Sequence, residues 1–197
     1  MRLVVGLGNP GEEYTGTRHN AGREAVFYFA RQRKFPDFEF DSKASALTSA
    51  GKIGGEKVLL ILPETFMNKS GQAVKVFVKN AKQAEKLIVI HDDLDLPLGR
   101  IKLSFNKSSG GHRGVENVIE NIKTNAFIRL RIGISKRGPK GIVKKPNGEK
   151  EVNAYILGKF KPAELEILKK EHKKIAEAIE VIVSEGRDKA MSRFNSS

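Results

Sequence analysis

Apolar and polar positions change period several times along this chain. MRLVVGL opens as an apolar run with no helical rhythm and reads as a buried strand. A loop follows to about residue 19. Ala25, Val26, Phe29 and Ala30 then recur at helical spacing and predict a helix over 20–34. ALTSAGKIGGEKVLLILP splits at Gly54-Gly55 into two strands. FMNKSGQAVKVFVKNA places Ala73, Val74, Phe77 and Val78 on one helical face. KLIVIHDDLDLPLGRIKLSF reads as a strand, an acidic loop closed by Pro97 and Gly99, and a second strand. VENVIENIK is a helix and IRLRIGIS a strand. Residues 136–150 read as a basic Gly/Pro loop long enough to be functional. A long amphipathic helix over about 161–185 closes at Gly186.

Strands alternate with helices, without repeats, a linker or a second core. The pattern predicts an α/β fold in one domain over 1–197: a mixed, mostly parallel sheet with helices on both faces. No apolar run approaches the ~20 residues that span a bilayer, so no membrane association is expected. The N-terminus has no signal-peptide layout, and there is no cysteine. That excludes disulfides and thiolate chemistry and fits a cytoplasmic location.

Charge adds a partner class. Lys and Arg total 36 against 23 acids, a net charge of +13. Residues 100–150 alone carry 13 Lys/Arg against three Asp/Glu. Such a segment favours a polyanion, nucleic acid before an acidic membrane surface.

Gly6, Gly8 and Gly11 spell G-x-G-x-x-G after the first strand. A dinucleotide cradle needs a helix to begin within that turn, its N–H groups facing the pyrophosphate. Pro10 alone does not forbid this. The following GEEYTGTRHNAG does, because it has no helical period and Glu12-Glu13 would repel phosphate. The glycines therefore form a tight turn, and the chain continues to His19.

His19 enters a predicted helix, where the positive end of the dipole favours neutral imidazole able to accept a proton. A surface histidine near a helix cap is the competing reading. Asp92 ends a strand and could orient an imidazole, although acidic turns are common. With His91, Asp93 and Asp95 it could also serve a divalent ion. Asn68, after another strand end, could hold a carbonyl or merely cap a helix. SSGGHRG brings His112 and Arg113 into a further helix start, as an anion site or a plain turn. His172, among lysines, reads as surface. A neutral histidine acting on water, with amides holding a carbonyl, amounts to hydrolysis of an activated acyl bond, an ester before an amide.

Together VGLGNPGEEYTGTRHNAG, PETFMNKSG, IHDDLDLPLG, GGHRG, RLRIGI, YILGKF and DKAMSRFN resemble the bacterial-type peptidyl-tRNA hydrolase family, in family order over nearly the whole chain. The resemblance implies a cytoplasmic, metal-free and cofactor-free monomer with no obligate protein partner. It would cleave the ester between a peptide and the terminal ribose of tRNA. It makes His19 the base that activates water and Asp92 its orienting partner. Asn9 and Asn68 would hold the peptide, with Tyr14 and Met67 lining the cleft and Arg131 gripping tRNA phosphate. The loop 136–150 and the last long helix would border the cleft.

Two positions depart from the family pattern. Arg113 stands where the family commonly has Asn, and a guanidinium cannot accept a hydrogen bond. A family phosphate-binding lysine falls on Ser104, leaving Lys102, Lys107 or Arg113 itself to replace it. The alternative function is therefore an RNA-binding relative with weak or no catalysis.

Overall fold

Four apolar runs pair in parallel at the centre of one sheet: β1 (Arg2–Gly6), β4 (Glu56–Pro63), β5 (Leu87–Pro97) and β7 (Ile128–Arg137), in the order β4-β1-β5-β7. These belong to a computed structural model that describes residues 1–138 and 143–196. The edges are antiparallel. β2 (Glu39–Asp41) and β3 (Ala46–Ile53) extend β4, while β6 (Ile101–Phe105) and the short β8 (Val143–Lys144) flank β7. The result is the mixed α/β sheet expected, parallel at its centre.

Side chains alternate across the pleat, which divides the core in two. Val4, Ile88, Ile90 and Leu130 face α1 (Ala21–Gln32), α6 (Pro162–Ser184) and α7 (Arg187–Asn195). Leu3, Val5, Leu7 and Val89 face α2 (Ser70–Phe77), α3 (Ala81–Ala84) and α4 (Arg113–Ile122). Phe29 of α1 is fully buried, so Phe29→Ala should cost about 3–5 kcal/mol.

This topology positions a site. From β1 the chain reaches β4 by way of α1 on one face. It then returns to β5, on the other side of β1, by way of α2 and α3 on the opposite face. The connections part at the carboxyl end of β1, the switch point where open α/β sheets form a crevice. α1 packs unusually close there: a Cβ on Gly22 would collide with the Ile90 carbonyl.

Three expectations need correction, and one element was not foreseen. The acidic stretch is not a loop, because β5 runs through Asp92 and Asp93 to Pro97 with a shift in its pairing to β7 between Asp93 and Pro97. Residues 136–150 are not one loop: β7 continues to Arg137, β8 follows, and α5 (Gly148–Ile156) begins before the segment ends. Residues 139–142 of that segment lie outside the described residues. His172 is not a surface group. It is half-buried with its ring 5.3 Å from Tyr28, and burial pushes it down to about 4. Finally, α7 has no apolar period to betray it. It is held by Ala190 and Phe194 and by the Asn195 amide, which bonds both backbone groups of Leu103 at 2.8 and 2.9 Å.

Candidate active site

The strand ends and helix starts at the switch point supply each candidate side chain. Asn9 lies just beyond β1. A 3-10 turn, Arg18–Asn20, carries His19 into α1, and a second, Met67–Lys69, carries Met67 and Asn68 into α2. Asp92 comes from β5, His112 caps α4, and Arg113 is that helix's first residue.

Asp92 is the centre. Its buried carboxylate lies 3.0 Å from His19 Nδ1 through each oxygen, and His112 Nε2 lies 2.9 Å from Oδ1. The tautomers follow from the partners. His112 Nδ1 accepts the Val115 N–H at 3.2 Å, so its proton sits on Nε2 and is donated to Asp92. A carboxylate only accepts, so His19 donates from Nδ1, and in the neutral ring the lone pair is then on Nε2. Burial alone would raise the Asp92 carboxyl, but the positive charge that His19 and His112 carry when protonated, with the hydrogen bonds both rings donate, overcomes it and holds it well below the usual carboxylate range. Beneath lies His91, 4.6 Å from the His112 ring and donating Nδ1–H to the Asp92 carbonyl at 2.7 Å. Burial, helped by His112 and Arg129, pushes His91 well below its ordinary value and keeps it neutral.

Asn9 is fixed with equal definiteness. Its Oδ1 accepts the Met67 N–H at 2.8 Å, which leaves Nδ2 as the donor toward the cleft. Asn20 clamps the Asn9 backbone, accepting its N–H at 2.8 Å and donating to its carbonyl at 2.9 Å. Asn68 is exposed and does not cap its helix; Lys69 occupies the position before α2. Tyr14 stands edge-on to Phe66, a residue of the cleft wall, at 6.4 Å.

Two cavities meet at His19. One of about 260 Å³ is lined by Asn9, Phe66, Met67, Asn68, Arg113 and Leu157 among others. The other, about 380 Å³, is lined by Asp92, His112, Arg113, Lys145 and Glu149 among others. Asn153 and Ile156 of α5 wall both. Arg113 reaches both as well and pairs with Glu149 at the surface.

The basic candidates lie apart from this cluster. Lys102 and Lys107 are exposed. Arg131 lies opposite Lys102 in the β6–β7 register, but its Nε donates to Asp93 at 2.6 Å. A phosphate there must compete with Asp93. Ser104 is buried opposite Arg129, where a lysine would set another cation beside two arginines. Among the described residues, His19, Asp92 and His112 are the group whose ligand atoms could hold a metal ion, all within 4.8 Å of one another. Holding one would cost both hydrogen bonds to Asp92.

Sequence reasoning missed His112 as the second partner of Asp92, the Asn20 clamp and the wall formed by α5. His112 carried a signal, a Gly-rich loop delivering a histidine to a helix start. Asn20 and α5 carried none.

Comparison with known proteins identifies the family. The family model for peptidyl-tRNA hydrolase matches residues 3–197. A peptidyl-tRNA hydrolase of Dehalococcoides mccartyi is 41% identical over 99% of this chain and 100% of its own length. One from Halalkalibacterium halodurans is 39% identical, covering 99% and 100%. A crystal structure of peptidyl-tRNA hydrolase from Acinetobacter baumannii superposes with a TM-score of 0.87 at 33% identity, over 100% of this chain and 95% of that one. A peptidyl-tRNA hydrolase crystallised with N-propanol gives 0.88 at 34%, with the same coverage. With sequence, length and fold all in accord, the chain belongs to the peptidyl-tRNA hydrolase family.

Proposed function

We propose that this chain hydrolyses the ester joining a peptide to tRNA, with His19 as general base and Asp92 as its orienting partner. The observation that carries the reading is the contact of His19 Nδ1 with Asp92 at 3.0 Å, with His19 at the junction of two cavities. Water between Nε2 and the ester carbonyl gives up its proton as it attacks carbon. The imidazolium formed is stabilised by the Asp92 carboxylate and returns the proton to the departing ribose oxygen. General-base catalysis of this kind supplies about 10²–10⁴-fold. Asn9 Nδ2 and the exposed Asn68 amide donate to and accept from the peptide backbone, so they favour an acylated amino group over a free ammonium. Met67 lines the cleft and Tyr14 backs Phe66 at its rim. Lys102, Lys107 and Arg131 supply salt-dependent, sequence-independent attraction to tRNA phosphates.

The reaction needs no metal or cofactor in this reading, and the enzyme works as a cytoplasmic monomer without an obligate protein partner. Among the described residues no helix is long and apolar enough to cross a membrane. The test compares N-acetylated with free aminoacyl-tRNA in the presence of a chelator. Release only from the acylated substrate supports the proposal; equal release from both refutes the role of the amides. A weakly catalytic RNA-binding relative is the second reading, favoured by Arg113 in the cleft. Slow turnover with tight binding to structured RNA other than tRNA would establish it instead.

A further inference from the structure

The helix that walls the cleft has little to hold it. α5 spans nine residues and buries none of them. A surface helix normally derives its stability from an apolar face pressed on a core, and α5 offers only the half-buried Tyr155 and Ile156 to one. Yet its Asn153 and Ile156, with Leu157 just beyond, border the cavities on either side of His19.

What fixes its trailing end is the residue before His19. Arg18 is 5% exposed, and its guanidinium lies 4.5 Å from the Tyr155 ring centroid and 5.1 Å from that of Phe160. Nη1 donates to the carbonyls of Gly158 at 3.0 Å and Lys159 at 2.8 Å. Nη2 donates to Glu164 Oε2 at 2.7 Å, the oxygen that also accepts the Lys161 N–H and so caps α6. The backbone joins in: Arg18 N–H donates to Gly158 at 3.1 Å and Phe160 N–H to Gly16 at 3.0 Å. The charge is thus desolvated, neutralised and stacked, the setting in which a planar fork outperforms a lysine. Elsewhere α5 is held by the part-buried bond from Tyr155 O–H to the Ile134 carbonyl at 2.7 Å and by the packing of Tyr155 and Ile156 on the core. Among the described residues, the ion pairs near its leading end, Arg113–Glu149 and Lys145–Asp95, are exposed and of small worth.

We infer that Arg18 is a positioning residue for substrate: it clamps the α5–α6 connection to the His19 turn and so sets the height of α5 over the cleft. This rests on the reading of the cleft as the substrate site. The Arg18 side chain bonds to and stacks on the α5–α6 connection and makes no hydrogen bond or ion pair with Asp92 or the His19 ring, so its influence falls on binding and not on proton transfer.

The test uses the full chain with Arg18→Ala and Arg18→Lys. Amide hydrogen exchange should speed up over 148–158 in both variants while α1 stays protected. With N-acetyl-aminoacyl-tRNA, KM should rise about tenfold or more for Arg18→Ala, in proportion to the fraction of molecules with α5 displaced. kcat should stay within about threefold and the pH profile of kcat/KM should not move. Methylguanidinium, which fits between the two rings, should lower the KM of Arg18→Ala. Arg18→Lys keeps the charge beside Glu164 and should show the smaller rise; it decides the matter should the alanine variant not fold. Unchanged exchange over α5, or a fall in kcat with a shifted pH profile and unchanged KM, overturns the inference. Should wild type release no peptide, the reading of the cleft fails, and the exchange result alone still judges the clamp.

Discussion

Replacing Asp92 with Asn changes one oxygen to an NH2 group and leaves the volume intact. In the native site both His19 Nδ1 and His112 Nε2 donate to that carboxylate, at 3.0 and 2.9 Å. As Nε2 takes a proton from water, the ring becomes a cation beside it. At about 4 Å and an effective dielectric of about 20, that attraction is worth about 4 kcal/mol. An amide dipole recovers a part, so the loss is about 3 kcal/mol, on the order of a hundredfold in rate. Tautomers add to it. The substituted amide can accept one N–H through its oxygen, and its own N–H must face the other ring. His112 is held in its tautomer by the Val115 N–H, so His19 is the ring that must give way. With its proton moved to Nε2 it has no lone pair for water. The full effect on kcat is therefore between about 10² and 10⁴, with KM little changed. Single-turnover release of a labelled N-acetyl-aminoacyl group, measured below the melting temperature of both proteins, reads this directly. A loss smaller than about tenfold in a folded Asp92→Asn protein would refute the orienting role.

The other expectations concern binding, the departures and the buried charges. Asn9→Asp keeps the acceptor for the Met67 N–H and removes the Nδ2 donor, so kcat/KM should fall about 10- to 100-fold at an unchanged thermal midpoint; full activity would show that Nδ2 faces nothing. Arg113→Asn should fold, release Glu149, and change turnover less than His19→Ala does; abolished activity would make Arg113 essential. Lys102→Ala and Lys107→Ala should each lower the slope of log affinity against log salt by about one, and an unchanged slope removes that lysine from the tRNA path. Burial raises Glu171 to about 8, opposed in part by the Gly99 N–H and Lys174. A raised carboxyl stabilises the fold fully below its ordinary value, and that stability is lost as pH rises through the folded value. Glu171→Gln should therefore be near neutral at about pH 5 and stabilising at about pH 9, by on the order of 1–3 kcal/mol; equal midpoint shifts at both would contradict the buried charge.

The parallel centre was legible because buried strands are runs of apolar residues. β1, β4, β5 and β7 each show one, and α1 and α6 show a helical stripe. The continuation of β5 was hidden by its own function. Asp92, Asp93 and Asp95 look like a solvated turn, yet they meet His19 and His112, Arg131 and Lys145. α5 was hidden because a helix that buries no residue leaves no period in the sequence. His19 and Asp92 could be named from their places at a helix start and a strand end, and from resemblance. That His112 shares the same carboxylate needed coordinates, since twenty residues and β6 separate the two in the chain. Arg18 is silent in sequence for a related reason. A buried arginine is written like an exposed one until its rings and carbonyls are seen.

The central claim is that His19, and no metal, activates the water. Its most direct test is release of the peptide moiety from N-acetyl-aminoacyl-tRNA in chelator, wild type beside His19→Ala. The geometry predicts undiminished release by wild type and a loss of at least about a hundredfold in the variant. Equal rates for the two, or a wild type silenced by the chelator, would contradict it.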